Sequence, residues 1–213
     1  MEDVLQVYQR PYDPRCPQVC LDEGAKQILS EVREPIPMKP GQAAGQAERV
    51  DNEYKREGTC ALFMLFEPLA GKRHVLVRER RTAKDFAEVV QHLCDDLYPE
   101  AKRLVLVLDN LNTHGAHSLY ERFDPATARR LAEKIEWHYT PKHGSWLNMA
   151  EIELSALSVQ CLSERMGSRE RLESEVAAWQ EERNAASVKA DWRFTMDEAR
   201  NKLKRLYPSI LPS

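Results

Sequence analysis

Leu104-Val105-Leu106-Val107-Leu108 is an unbroken apolar run that ends on Asp109. A strand with one wet face alternates apolar and polar side chains. A strand apolar at every position must be covered on both faces, as at the centre of an α/β sheet. Such a sheet needs helices on each side, and the neighbouring sequence predicts them. Residues 82–97 space Phe86, Val89, Val90, Leu93 and Leu97 at helical intervals, with Thr82 as N-cap, Asp85 three residues on, and Pro99 as the stop. Asp124-Pro125 opens a second helix with proline at its first position. Residues 135–139 read as a further strand. From Asn148 onward the chain is almost wholly helical, broken near Gly167 and again at 188–192.

Ahead of the apolar run the pattern is less regular. Residues 1–18 are polar and interrupted by Pro11, Pro14 and Pro17, which predicts an irregular lead-in. Residues 19–22 form a short strand, and 24–34 are either helical or irregular. Pro35, Pro37, Pro40, Gly41 and Gly45 mark a long loop reaching to Gly58. A buried strand then runs to Phe66, a turn occupies 68–71, and 73–79 alternates as the second arm of a hairpin. The order is three strands, helix, strand, helix, strand, then helices.

The chain has 213 residues, which fits one domain with a real core. At 42% hydrophobic and 31% charged residues its class is globular. Its longest apolar run, 60–66, falls far short of the roughly 20 residues of a membrane span. The acidic start Met1-Glu2-Asp3 lacks a signal-peptide pattern, so a cytosolic setting is expected. A net charge of -3 is not that of a stand-alone DNA-binding module. The charge is uneven, however: Lys72, Arg73, Arg78, Arg80, Arg81 and Lys84 stand against the single acid Glu79. Such a strip can follow a phosphate backbone or blunt an exposed strand edge. Five cysteines, an odd number, suggest no disulfide framework. Cys16/Cys20 and His114/His117 have loose ligand spacings, but no second pair joins either to make a zinc site.

Three acids carry the chemistry. Asp22 follows Val19-Cys20-Leu21 and precedes Glu23; Asp109 follows the central run and precedes Asn110; Glu151 lies at the start of a helix after Ser145-Trp146-Leu147-Asn148. An acid directly after a buried strand is exposed at the sheet's carboxyl edge, where α/β folds place their sites. Together they make an all-oxygen ligand set suited to Mg²⁺ or Mn²⁺. Singly, each has an ordinary explanation: a cap, a turn pair, and a first-turn helix acid favoured by the dipole. Glu153 competes with Glu151. Two residues on a helix differ by about 200°, so both cannot face one site. The apolar stripe Leu147, Ala150, Leu154, Leu157, Cys161 leaves both on its flanks, and periodicity does not choose.

Leu21-Asp22-Glu23, Leu108-Asp109-Asn110 with His114 beyond it, and the block His138 to Asn148 leading to Glu151 resemble the catalytic core of DDE transposases. More narrowly they resemble the bacterial insertion-sequence branch of the mariner superfamily. The resemblance implies a ribonuclease-H-like α/β fold: a mixed sheet, first an antiparallel meander and then parallel strands, flanked by helices. It implies a catalytic domain over 19–207 with a short tail at 208–213. It selects Glu151 over Glu153, and makes Asp22, Asp109 and Glu151 the ligands of two Mg²⁺ ions, with Mn²⁺ able to substitute. The implied reaction is water-driven cleavage at transposon ends, followed by attack of the freed 3′ hydroxyl on target DNA. Asn110 and His114 are expected to support the site by touching a metal-bound water or a phosphate. Arg78, Arg80, Arg81, Lys142 and His143 are expected to meet the DNA backbone, and Trp146 either stacks on a splayed base or anchors the core.

Full-length relatives carry helix-turn-helix modules ahead of this core; residues 1–18 are too few for one. The interval between the second and third acids is longer than in many mariner relatives, and the extra length is expected near 120–133. The 35–58 loop falls where relatives place an arm that contacts a partner subunit, which implies a homodimer on DNA in the bacterial cytoplasm. Two other readings remain: a silent DNA-associated remnant, and another ribonuclease-H-like nuclease. The Ser-Trp-Leu-Asn block favours the transposase.

Overall fold

A computed structural model describes residues 1–32 and 53–206. Five strands, β1 (Gln18–Glu31), β2 (Tyr54–Glu67), β3 (Lys72–Arg78), β4 (Leu104–Leu108) and β5 (Ile135–Tyr139), form one sheet in the order β3-β2-β1-β4-β5. β1, β2 and β3 pair antiparallel, while β4 and β5 run parallel to β1. This is the expected meander followed by parallel strands. Helices α2 (Ala83–His92), α3 (Ala116–Arg122) and α4 (Pro125–Lys134) accompany one face. Helices α1 (Glu2–Tyr8), α5 (Met149–Gln160), α6 (Arg169–Ala185) and α7 (Met196–Lys202) complete the fold.

Alternation along the strands divides the apolar residues into two cores. Val19, Leu21, Phe63, Leu65, Leu104, Leu106 and Leu108 pack with Phe86, Val89, Leu119 and Leu131. Cys20, Leu62, Met64, Phe66, Val105 and Val107 pack with Leu5, Ala150, Leu157, Val176 and Ala199. All five β4 residues are buried, which accounts for their unbroken apolar character. Thr82 caps α2 in a full capping box with Asp85, and a π-helical turn at Leu93–Leu97 ends that segment. The Asp124 side chain accepts from the Ala126 and Thr127 backbone N–H groups at the start of α4.

Three expectations change. The lead-in at 1–18 contains α1, whose Val4, Leu5, Val7 and Tyr8 are buried in the second core. Its apolar residues are too few to announce a helix without the surface they pack on. The first strand does not stop at Asp22 but runs through Glu31, because β2 pairs with it along that length. β2 likewise begins before Gly58, at Tyr54. At Gly24 a Cβ would sit 3.2 Å from Leu154 Cδ2, a tight contact where α5 lies on β1. Of the 35–58 segment, 35–52 lie outside the described residues, as does the tail.

The basic strip is also divided. β3 is an edge strand, and α6 covers its edge: the Arg73 and Val75 N–H groups donate to Asn184 Oδ1 (2.8 Å) and Gln180 Oε1 (2.7 Å). Covering the edge in this way removes a template for strand addition. Arg73 itself is fully buried, its guanidinium 3.0 Å from Glu153 Oε2. Arg183 reaches the same carboxylate, Nη2 to Oε1 at 2.8 Å and Nε to Oε2 at 3.0 Å. Burial lowers the Arg73 pKa while Glu153 raises it. Arg73 therefore belongs to the interior and leaves the exposed strip. Removing one member of a buried ion pair strands the other, a loss of about 3–5 kcal/mol. Glu153→Ala is expected to destabilise the fold by about that amount in urea unfolding, while Glu151→Ala leaves stability nearly unchanged.

Candidate active site

Parallel pairing of β1 with β4 runs from Gln18 opposite Val105 to Leu21 opposite Leu108. The next residue on each strand is an acid, Asp22 and Asp109. Neighbouring strands lie about 4.8 Å apart, so the two acids stand side by side at the carboxyl edge. Beyond that point β4 ends, while β1 continues as the partner of β2.

The third acid arrives from α5. Asn148, almost fully buried, caps that helix by accepting from the Ala150 N–H at 3.1 Å. Its amide nitrogen donates to the Leu21 carbonyl at 2.7 Å. The helix start is thereby tied to the residue directly before Asp22. From α1, the Tyr8 hydroxyl donates to the Leu147 carbonyl at 2.6 Å and steadies the same junction. Glu151 follows in the first turn, half-buried. Glu153 is engaged on another side of the helix by Arg73 and Arg183. Glu153 is thus a buried ion-pair partner, while the charge of Glu151 acts on Asp22.

Electrostatics links the three. The Asp22 carboxyl is raised to about 6, first by burial and then by the charges of Asp109 and Glu151; the Glu23 backbone N–H, donating to Asp22 Oδ1 at 2.8 Å, and His114 act the other way. Among the described residues, no group of three or more His, Cys, Asp and Glu is gathered closely enough to hold a metal ion. The donor chemistry nonetheless fits a hard divalent cation. All three groups are carboxylates, and the repulsion that adds to burial in raising Asp22 is the kind a cation relieves.

His114 is wholly buried between two acids. Its Nδ1 meets Asp109 Oδ1, its Nε2 lies 2.8 Å from Glu23 Oε1, and its ring stacks on Phe86 at 4.7 Å between centroids. Burial opposes its charge, but the hydrogen bonds to Asp109 and Glu23 prevail and hold its pKa at about 9. Both ring nitrogens are engaged, which leaves neither for a phosphate or a water. Glu23 was not among the predicted site residues. The available signal was an acid beside the first strand-end acid, facing the opposite side of β1; nothing local pairs it with a histidine so distant in sequence.

The remaining candidates lie around this centre. Asn110 is exposed in the loop after β4. Arg78 is half-buried and pairs across to Ala61, which pairs to Ala25, so the end of β3 lies at the same sheet end as Asp22. Arg80 and Arg81 are exposed just beyond it. Lys142 and His143 are exposed in the loop entering α5, where His143 takes a left-handed backbone with φ 63°. Trp146 is no core anchor: it is 42% exposed, with Trp192 stacked at 6.3 Å and Phe194 edge-on. Cys20 is buried, and its Sγ lies 3.5 Å from the Tyr8 hydroxyl; all five cysteines are free. No helix among the described residues is long and apolar enough to cross a membrane.

Asp22 generates a pH dependence. Its folded value of about 6 lies above the ordinary 3.8, so the folded protein holds this proton more tightly than the unfolded chain. The stability that follows is complete below about 3.8 and is lost as pH rises through about 6. Asp22→Asn is expected to match wild type near pH 4 in metal-free thermal unfolding. Above pH 6 it should be more stable, by about 2–3 kcal/mol at about 1.4 kcal/mol per pH unit.

The model of the family described as DDE superfamily endonuclease matches residues 17–173, from the start of β1 into α6, and includes all three acids. Among solved structures, the fold is similar to the "Mos1 transposase paired-end complex with left transposon end", with TM-score 0.54 and 18% identity over 87% of this chain and 55% of that one. It is also similar to the "Crystal structure of the Mos1 Strand Transfer Complex", with TM-score 0.51 and 18% identity over 87% of this chain and 54% of that one. At such identity the likeness is one of fold, and it bears out the ribonuclease-H-like expectation. The chain spans about half the length of these transposase chains. No curated protein matches it. On the extent of the family match, the chain belongs to the DDE superfamily endonucleases.

Proposed function

We propose that this chain is the catalytic domain of a bacterial DNA transposase, in which Asp22, Asp109 and Glu151 hold two divalent cations. The observation that carries the reading is the β1–β4 register, which sets Leu21 opposite Leu108 and so makes Asp22 and Asp109 neighbours at the sheet's carboxyl edge. When bound, Mg²⁺ or Mn²⁺ would activate the attacking oxygen and stabilise the departing one. The protein supplies position. Asp22 and Asp109 present carboxylates from just past the last paired position of the β1–β4 ladder, and Glu151 presents its own from a helix that Asn148 ties to β1. Arg80, Arg81, Lys142 and His143 provide exposed cationic or protonatable groups for the phosphate backbone. The half-exposed ring of Trp146 offers a stacking face for an unpaired base.

The two Mos1 structures hold a transposon end and a strand-transfer complex, as their names state. That likeness supports cleavage of element ends followed by strand transfer; a homodimer acting on DNA in the cytoplasm is part of the same proposal. Labelled duplex DNA incubated with Mn²⁺ tests the reading. Wild type is expected to nick it, and Asp109→Ala and Glu151→Ala to lose at least about 100-fold, the upper end of what an outer-shell residue typically costs. Equal nicking by wild type and Asp109→Ala would reject the assignment.

A further inference from the structure

We infer that Glu23 is a positioning residue that sets the Asp109 carboxylate through His114; the inference rests on the metal-site reading above. Glu23 is one residue past Asp22 and is linked to both acids, to Asp22 directly and to Asp109 through His114. Its backbone N–H donates to Asp22 Oδ1, and its side chain holds His114, which holds Asp109. The strand makes this possible, because successive side chains point to opposite faces. Asp22 shares the face of Cys20 and α5, while Glu23 shares that of Leu21 and reaches the ring stacked on Phe86.

Asp109 requires such help. It is the first residue after β4, beyond the last paired position, and the loop that follows carries exposed Asn110, Leu111 and Asn112. A carboxylate there is free to change rotamer unless something holds it. His114 engages Oδ1 and leaves Oδ2 for a ligand, so less side-chain freedom is lost on binding a cation.

Burial argues that the pair does more than fill space. The Glu23 and His114 side chains are 3% and 0% exposed, against 23% for Asp109. Placing an acid and an imidazole inside carries a desolvation cost that an apolar pair of similar volume would not. What an apolar pair could not do is hold Asp109 by hydrogen bond. The arrangement follows the logic of outer-shell groups that orient a ligand, with histidine as the link and a carboxylate as the ligand.

The test is Mn²⁺ binding to the full chain without DNA, read from the electron paramagnetic resonance signal of free Mn²⁺ at fixed pH, with circular dichroism confirming the fold. Glu23→Leu is expected to weaken binding roughly 10–100-fold. Glu23→Gln keeps an acceptor for Nε2 and should stay within about threefold of wild type, within the scatter such outer-shell effects show. Wild-type affinity in Glu23→Leu, with binding lost in Asp109→Ala, overturns the inference and leaves the metal site standing. Equal weakening in Glu23→Gln and Glu23→Leu also overturns it, by making bulk charge the cause. Unaltered binding in Asp109→Ala rejects the metal-site reading itself. If Glu23→Leu does not fold, Glu23→Asp, one methylene short of Nε2, replaces it and is judged by the same criteria.

Discussion

The short parallel ladder between β1 and β4 is the constraint on which the rest depends. It places Leu21 opposite Leu108 and therefore makes Asp22 and Asp109 neighbours. It also ends there, while β1 goes on with β2 through Glu31. The acids thus lie at the carboxyl end of β4 and beside the continuing β1, the edge where α/β folds bind ligands. The apolar sides of both strands are sealed by helices, so the acids emerge from a rigid base.

α5 completes this edge through a small number of directed bonds. Asn148 joins the helix start to Leu21, Tyr8 joins α1 to Leu147, and α5 lies on β1 at Gly24. On another side of the helix, Glu153 is locked by Arg73 and Arg183, which joins β3, α5 and α6 around one buried carboxylate. One helix thus carries a structural acid and a candidate ligand two residues apart, separated by its own geometry. The buried acids Glu23 and Glu153 each have a close cationic or imidazole partner. Asp22 is raised first by burial and further by its neighbouring acids, a local cost of the kind found at functional sites.

The elements legible in the sequence were those with local signals. The apolar run of β4, the capping box of α2, the Asp-Pro start of α4 and the hairpin of β2 and β3 each carry their own pattern. The missed elements draw their stability from elsewhere. α1 has seven residues and no side-chain cap bond, and it persists because four of them enter the core. The second half of β1 is mostly half-exposed and polar, and pairing with β2 makes it a strand. In the site, Asp22 and Asp109 were legible because each ends an apolar stretch. Glu151 needed the resemblance, since periodicity treated it and Glu153 alike. Glu23 was passed over, because its partner lies 91 residues away.

By itself the sequence determined the α/β class, the positions of the acids that end apolar stretches and their all-oxygen chemistry, because strand periodicity and residue type are local properties. Tertiary structure decided which helix glutamate is a buried ion-pair partner, which arginine of the basic strip is interior, and that Trp146 is half-exposed rather than core. It also decided that His114 is held between Asp109 and Glu23. Each of those depends on distant segments meeting with particular side chains turned toward one another, and no local period encodes which distant group will be there.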